Sequence, residues 1–275
     1  NDIAIVPSSL TGIRYGSDIL VKTELNSHVM EPIMDSLAPQ ALMSSLNADL
    51  SLVQVGRILE ASTATSTRSD EELLSKLYFA LKGEKLTLGT FSPTLTGAGS
   101  IGPRRAYYEK LIELEGIVKA NPALRLESFA DRRPTAVEGK SDIAVRFSMR
   151  ELSPFTVRGL DYQSLHNKNG ELDLFSVSND KGMTDKWLDA RVKFLDAFVR
   201  YNIADGNMPP NDIGGYFEDQ RLGIKIGSPN GRYQRYVFGN DGAASTFVGF
   251  NQDDYLFGGS SSDTITANGG NDYIE

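Results

Sequence analysis

The sequence predicts a mainly α (α+β) N-terminal module followed by a β-hairpin and the start of a parallel β-roll. Three observations carry this. Capped amphipathic segments recur between Ser27 and Asn202. A Pro/Gly/Asn/Asp-rich stretch, DGNMPPND at 205–212, then breaks the helical pattern. Beyond it the chain turns to short strand-like runs and a tail of small turn residues punctuated by single apolar side chains. The predicted division is a helical module with a short β-containing start over 1–205, a linker over 206–220, and a hairpin with coiled repeats over 221–275.

Taken in order, IAIV, IRY and ILV before Thr23 read as short strands, with Gly12 and Gly16 between them. From Ser27 the period becomes helical. Val29, Ile33 and Leu37 share a face, and Pro39 divides a helix pair that continues through Leu42–Leu50. Leu52–Leu59 forms the next helix. Ser69-Asp-Glu-Glu72 is a capping box before Leu73, Leu77 and Leu81. Residues 86–102 are a Thr/Gly/Ser-rich excursion. Pro103 opens a helix to Lys119 whose buried stripe is Tyr107, Leu111, Leu114 and Val118. One helix is expected from Ser141 to Leu152, then an irregular stretch over 155–182. Thr184 caps the longest helix, Asp185 to Asn202, with Trp187, Arg191, Phe194, Phe198 and Tyr201 on one side. LGIKI and RYQRYVF, joined by Ser-Pro-Asn-Gly, read as the hairpin.

The tail divides into nines: GFNQDDYLF, GGSSSDTIT and ANGGNDYIE. Asp254, Asp263 and Asp272 fall at the sixth position. Leu256, Ile265 and Ile274 fall at the eighth, and Phe247 and Phe238 extend that apolar ladder backwards. A linker has no reason to keep apolar residues in register, so the pattern reads as a solenoid. The first six residues of each block can turn tightly, and the last three form a strand whose middle side chain points inward. Strands alternate between two sheets, so blocks two apart stack on the same side, about 4.8 Å from each other. Asp254 and Asp272 then share one edge, and Asp263 lies on the other above Ser245. Stacked carboxylates repel unless a cation lies between them. Carboxylate and carbonyl oxygens suit calcium or magnesium, and the number of turn carbonyls suits the larger ion.

These blocks resemble the GGxGxDxUx nonapeptide of RTX proteins, bacterial calcium-binding parallel β-rolls. GGSSSDTIT departs from it at Ser261, ANGGNDYIE keeps Gly270, Asp272 and Ile274, and GFNQDDYLF is degenerate. The resemblance implies Ca2+ held by Asp254, Asp263 and Asp272 with Gly258, Ser260, Gly269 and Asn251 in the turns. It also implies type I secretion and folding outside the cell. The stretch from Ser141 to Ser176, followed by WLDARVKFL, resembles a module of large bacterial RTX proteins, some with a lipase-like α/β-hydrolase region ahead of it. NSHVMEPIMDSLA resembles the join between the two. The chain then reads as a fragment of a longer RTX protein, with a host cell surface or a lipid substrate reached through that parent. The alternative is a non-enzymatic scaffold or binding module of an RTX toxin or adhesin.

Chemistry in the first 220 residues is sparse. His28, at a strand-to-helix junction, suits the last member of a Ser–acid–His triad. His166 sits in a polar turn. No GxSxG elbow occurs, so a serine nucleophile would lie outside these 275 residues. GAGSIG at 97–102 lacks the leading strand that a dinucleotide site needs. A net charge of −8 argues against nucleic acid as the main partner and is compatible with a cation. No apolar run is long enough to span a bilayer, and the absence of cysteine excludes disulfides and thiolate metal sites.

Overall fold

The computed structural model describes residues 3–7, 19–23, 30–63, 70–86, 101–178 and 181–275. His28, the IRY run, Ser69 of the expected capping box and most of GAGSIG lie outside them. The first elements in chain order are β1 (Ile3–Pro7), β2 (Ile19–Thr23), α1 (Met30–Leu46), α2 (Leu52–Ser62), α3 (Asp70–Lys82) and α4 (Ile101–Ala120). They are followed by β3 (Arg125–Ser128), α5 (Ala136–Ser141), α6 (Ile143–Glu151), β4 (Phe155–Arg158) and α7 (Tyr162–His166). The remainder are α8 (Asp185–Ile203), α9 (Pro210–Ile213), β5 (Tyr216–Asp219), β6 (Ile224–Ile226), β7 (Arg235–Phe238), β8 (Thr246–Val248), β9 (Tyr255–Phe257), β10 (Thr264–Thr266) and β11 (Tyr273–Ile274). The chain forms two compact units, Asn1–Arg132 with Ser153–Lys168, and Arg133–Leu152 with Asn169–Glu275.

The first unit is helical, with β3 and β4 paired antiparallel so that Leu126 faces Val157. Its core includes Met43, Leu46, Ile58, Leu59, Leu73, Leu77, Tyr107 and Leu114. The expected stripe of α4 is buried at Tyr107, Leu111, Leu114 and Val118. Ser51 and Gln54 cap α2 reciprocally: Ser51 Oγ accepts from Gln54 N, and Gln54 Oε1 accepts from Ser51 N.

The break expected at Pro39 is absent, and α1 runs through it. Proline has no N–H to donate to the carbonyl four residues back, which is that of Asp35. Tyr107 Oη donates to that carbonyl at 2.8 Å inside the core. A hydroxyl from α4 thus supplies the donor that Pro39 lacks. The expected single helix over 141–152 is instead α5 and α6, because Asp142 turns back to cap α6 by accepting from Ala144 N at 2.8 Å. The stretch read as irregular contains β4 and α7. His166 is buried there; its Nε2 lies 2.9 Å from Ala80 O, in the last turn of α3, and its ring meets Phe79 and Tyr162. It serves a helix end whose last carbonyls need partners.

In the second unit β5–β6 form an antiparallel hairpin and the strands from β7 onward coil in parallel. The hairpin expected before the roll is present, but LGIKI pairs back on YFED rather than forward on RYQRYVF. RYVF lies parallel to YFED on its other side. Residues 206–220, read from the sequence as a linker, hold α9 and β5.

One sheet has the order β11-β9-β7-β5-β6, and β8 pairs with β10 in a second. The offset between stacked strands is 18 residues for β8–β10 and β9–β11, as the nonapeptide requires, but 19 for β7–β9. The extra residue lies in the Gly239–Ser245 turn, which has seven residues where Gly249–Asp254 has six. The apolar ladder therefore slips by one. Val237, not the expected Phe238, joins Phe247 and Leu256 inside the roll, with Ile265 against them.

Phe238 faces the opposite way. It stacks on Phe257 at 4.9 Å and lies against Trp187 and Phe194 of α8. Phe217, Tyr236, Tyr255 and Tyr273 form a second row on that face. Between the rows and α8 lies Arg191, 1% exposed, paired with Asp219 and donating from Nε to Met149 O at 2.7 Å. Burial pulls its guanidinium pKa down while the Asp219 charge opposes that shift.

Replacing Tyr107 with Phe is expected to destabilise the first unit by about 1–2 kcal/mol, the worth of one buried hydrogen bond. Pro39→Ala in the Tyr107→Phe background should recover part of it by restoring an N–H to Asp35. Urea denaturation followed by circular dichroism reads both; an unchanged midpoint in Tyr107→Phe would remove the hydroxyl from the account.

Candidate metal centre

The coil itself sets the residues expected at the centre along two edges. The turns of the roll carry glycine where the next coil passes close. A Cβ on Gly249 would stand 2.2 Å from Ala267 O, and one on Gly239 2.0 Å from Gly258 O. Gly270, at φ +117°, would meet Gln252 O at 2.3 Å. Successive turns therefore present backbone carbonyls to one another where no side chain can intervene.

Asp254 and Asp272 share one edge, made of the turns Gly249–Asp254 and Ala267–Asp272. Asp272 Oδ1 accepts from Asp254 N at 2.9 Å. Asp254 Oδ1 accepts from Arg235 N, one coil earlier, at 2.7 Å, and its Oδ2 accepts from Phe250 N. Around them Asp253 Oδ1 accepts from Asn271 N, and Asn268 Nδ2 donates to Gly249 O. Asn251 lies on this edge with its Oδ1 beside Gly269.

Asp263 lies on the other edge, between the turns Gly239–Ser245 and Gly258–Asp263, and its Oδ1 accepts from Ser245 N at 2.7 Å. A Cβ on Gly258 would come within 2.5 Å of Asp263 Oδ2. Ser260 Oγ donates to Asp241 O. The seven residues expected at the centre thus divide into two groups, Asp254, Asp272, Asn251 and Gly269 against Asp263, Gly258 and Ser260.

The rule is that each block's aspartate reaches back to a backbone N–H of the coil before it. This aligns the carboxylates without neutralising them. Asp254 is fully buried, and burial pushes its carboxyl above the ordinary aspartate range, with the nearby Asp272 charge acting in the same direction. Its two backbone N–H bonds and the charge of Arg235 oppose that rise.

Among the described residues no group of three or more His, Cys, Asp or Glu side chains is gathered as a cation cage. A cation here must therefore draw on carbonyl oxygens with no more than two such side chains. Hard, oxygen-rich coordination of that kind fits calcium. Glycine-walled turns leave room for it where any Cβ would intrude. When bound, the ion supplies the positive charge that stacked carboxylates lack. Asp254, Asp263 and Asp272 would hold it, with carbonyl oxygens of the facing turns.

Sequence reasoning did not find Asp253, Asn268 or the Asp241 turn, because they fall outside the matched sixth and eighth positions. Asp241 lies in the Gly239–Ser245 turn, whose extra residue takes it out of the nine-residue frame.

Asp254→Asn removes a buried charge while keeping a hydrogen-bonding oxygen. It is expected to slow amide exchange of the roll in chelator and to weaken calcium binding in equilibrium dialysis. Asp272→Asn should weaken calcium binding likewise with a smaller effect in chelator, since Asp272 is only half-buried. Calcium affinity unchanged in both variants would remove these carboxylates from the centre.

Neither a curated protein nor a solved structure matches this chain. The family of the RTX calcium-binding nonapeptide repeat, in 4 copies, matches residues 248–275. That span begins at the last residue of β8 and covers the whole β9–β11 stacking step, with β10 and the end of β8 from the other. The C-terminal coils of this chain are RTX calcium-binding nonapeptide repeats, and their ion is Ca2+.

Proposed function

We propose that this chain is the calcium-responsive segment of a bacterial RTX protein exported by type I secretion, linking a lipase-like hydrolase region to the β-roll. The observation that carries the reading is the run of calcium-binding repeats at 248–275, whose Phe257 stacks on Phe238, the ring that packs against Trp187 and Phe194 of α8. The later repeats of such a segment stay uncoiled at the low calcium of a cytoplasm and coil where calcium is millimolar, outside the cell. No helix among the described residues is long and apolar enough to cross a membrane. In this reading His28 completes a triad whose serine lies outside this chain. The other histidine, His166, is committed to the end of α3.

A second reading, a non-enzymatic binding module of a toxin or adhesin, draws support from one surface. Leu174, Phe175 and Val177 are exposed together, Val177 by 90%, on a strand-like stretch that bridges back to Lys181 and Met183. Exposed apolar clusters of this sort suit a cell surface or a protein partner.

Adding calcium to the chain in chelator is expected to increase β-structure by far-UV circular dichroism, while the helical signal of α1–α4 and α8 persists. No spectral response to calcium would contradict the calcium-responsive reading. For the parent protein, His28→Ala should abolish turnover of short-chain esters if the hydrolase reading holds. Unchanged turnover removes His28 from the site. Absent turnover in the intact parent, with cell binding lost on Phe175→Ser and Val177→Ser, selects the binding module.

A further inference from the structure

The roll's N-terminal end differs from the rest in its charges. Arg235, at the start of β7, points into the interior face and is nearly buried, 12% exposed. Its Nη2 lies 3.1 Å from Glu218 Oε2 on β5, a carboxylate that also pairs with Lys225 and accepts from Tyr216 Oη. Its Nη1 donates to Val248 O. The guanidinium is sandwiched between the rings of Tyr216 and Phe250, 4.9 and 4.6 Å from their centroids, and its Nε is buried with no hydrogen-bond partner.

These contacts define a cap. Among the described residues β8 pairs only with β10, so its other side has no strand. The parallel ladder directs Ser245 O and Gly249 N toward β10, and Val248 O, one residue out of phase, points to that open side. Arg235 supplies the donor there. Its backbone N also holds Asp254 Oδ1 at 2.7 Å, and its guanidinium lies over Phe250 of the turn that ends in Asp254. Asp263 and Asp272 are held instead by the backbone N–H groups of Ser245 and Asp254, neither of which carries a positive side chain, in the stretch where the repeats match the calcium-binding family.

We propose that Arg235 is a built-in cation that takes the place of calcium at the N-terminal end of the Asp254–Asp272 edge, so that the first coil closes without metal while the later coils require it. The proposal rests on the calcium reading of the repeats and adds where the requirement for calcium begins. The helix-backed strands β5 and β7 then form a preassembled template, and calcium extends the roll from that template rather than nucleating it. Such a division favours folding from the N-terminal end of the roll, since nucleating a solenoid is harder than adding a coil to one.

The test is hydrogen exchange on the full chain, wild type, Arg235→Gln and Arg235→Lys, each in chelator and in calcium. In wild type, chelator should remove protection from residues 264–274 and leave it at 235–250. Arg235→Gln should raise exchange at 235–250 in chelator by about ten- to a hundredfold, the scale of a lost buried charge-assisted hydrogen bond. Calcium should restore most of that protection. Arg235→Lys keeps the charge and should fall between. Loss of protection at 235–250 in wild-type chelator, or exchange in Arg235→Gln equal to wild type, would overturn the proposal. Protection at 264–274 that ignores calcium, with 235–250 still dependent on Arg235, would instead overturn the calcium reading and keep the cap. Exchange across α8 reports whether a variant has unfolded the whole unit.

Discussion

The structure depends on the close stacking of like-charged turns. A parallel coil with an 18-residue period puts each turn directly against the turn two blocks away, and the glycines make that approach close. The aspartate ending each block is drawn to a backbone N–H of the preceding coil, so carboxylates align along both edges. Backbone donors satisfy their hydrogen bonds but cannot cancel their charge. Positive charge must therefore be supplied along the edges. At the N-terminal end it comes from the chain itself, through Arg235 beside Glu218 and Asp254, and through Arg150, whose Nη2 lies 2.8 Å from Asp241. Further along it comes from calcium.

The helices matter for a second reason. A short roll buries little on its own, and solenoid ends need covering. Here the outer face of the larger sheet is not left to solvent. Phe217, Tyr236, Phe238, Tyr255 and Phe257 line it, and Phe194 and Trp187 of α8 pack against its N-terminal part. The buried Arg191–Asp219 pair lies within this layer. Breaking one partner of such a pair leaves an uncompensated charge and costs about 3–5 kcal/mol. The far end is different: Ile274 is 52% exposed, and the last coil has the least apolar cover. Cover and built-in charge are concentrated where the roll begins and decline together toward its end.

Much of this could be read from the sequence, and the exceptions have physical causes. The nonapeptide period showed which aspartates share an edge, because side-chain direction in a coiled strand is fixed by spacing alone. It failed at Phe238, where one added residue between Gly239 and Ser245 moved Val237 into the core. Periodicity cannot see an insertion in a turn whose residues are all small. Pro39 was read as a break by a local rule, and a distant hydroxyl, Tyr107, overrides it. RLES and FTVR were too short to register as strands, and each exists because the other pairs with it. The spacing put Arg191 on the aromatic side of its helix, and nothing in the sequence marked Arg235. Only tertiary packing shows that both are buried among aromatic rings against carboxylates.

Calorimetric titration of the full chain with calcium measures most directly whether these edges need a divalent ion. Saturable heat of binding is expected in the wild type, reduced when Asp263 and Asp272 are both changed to Asn. Absence of binding heat in the wild type, or heat unaltered by removing those two carboxylates, would contradict that need.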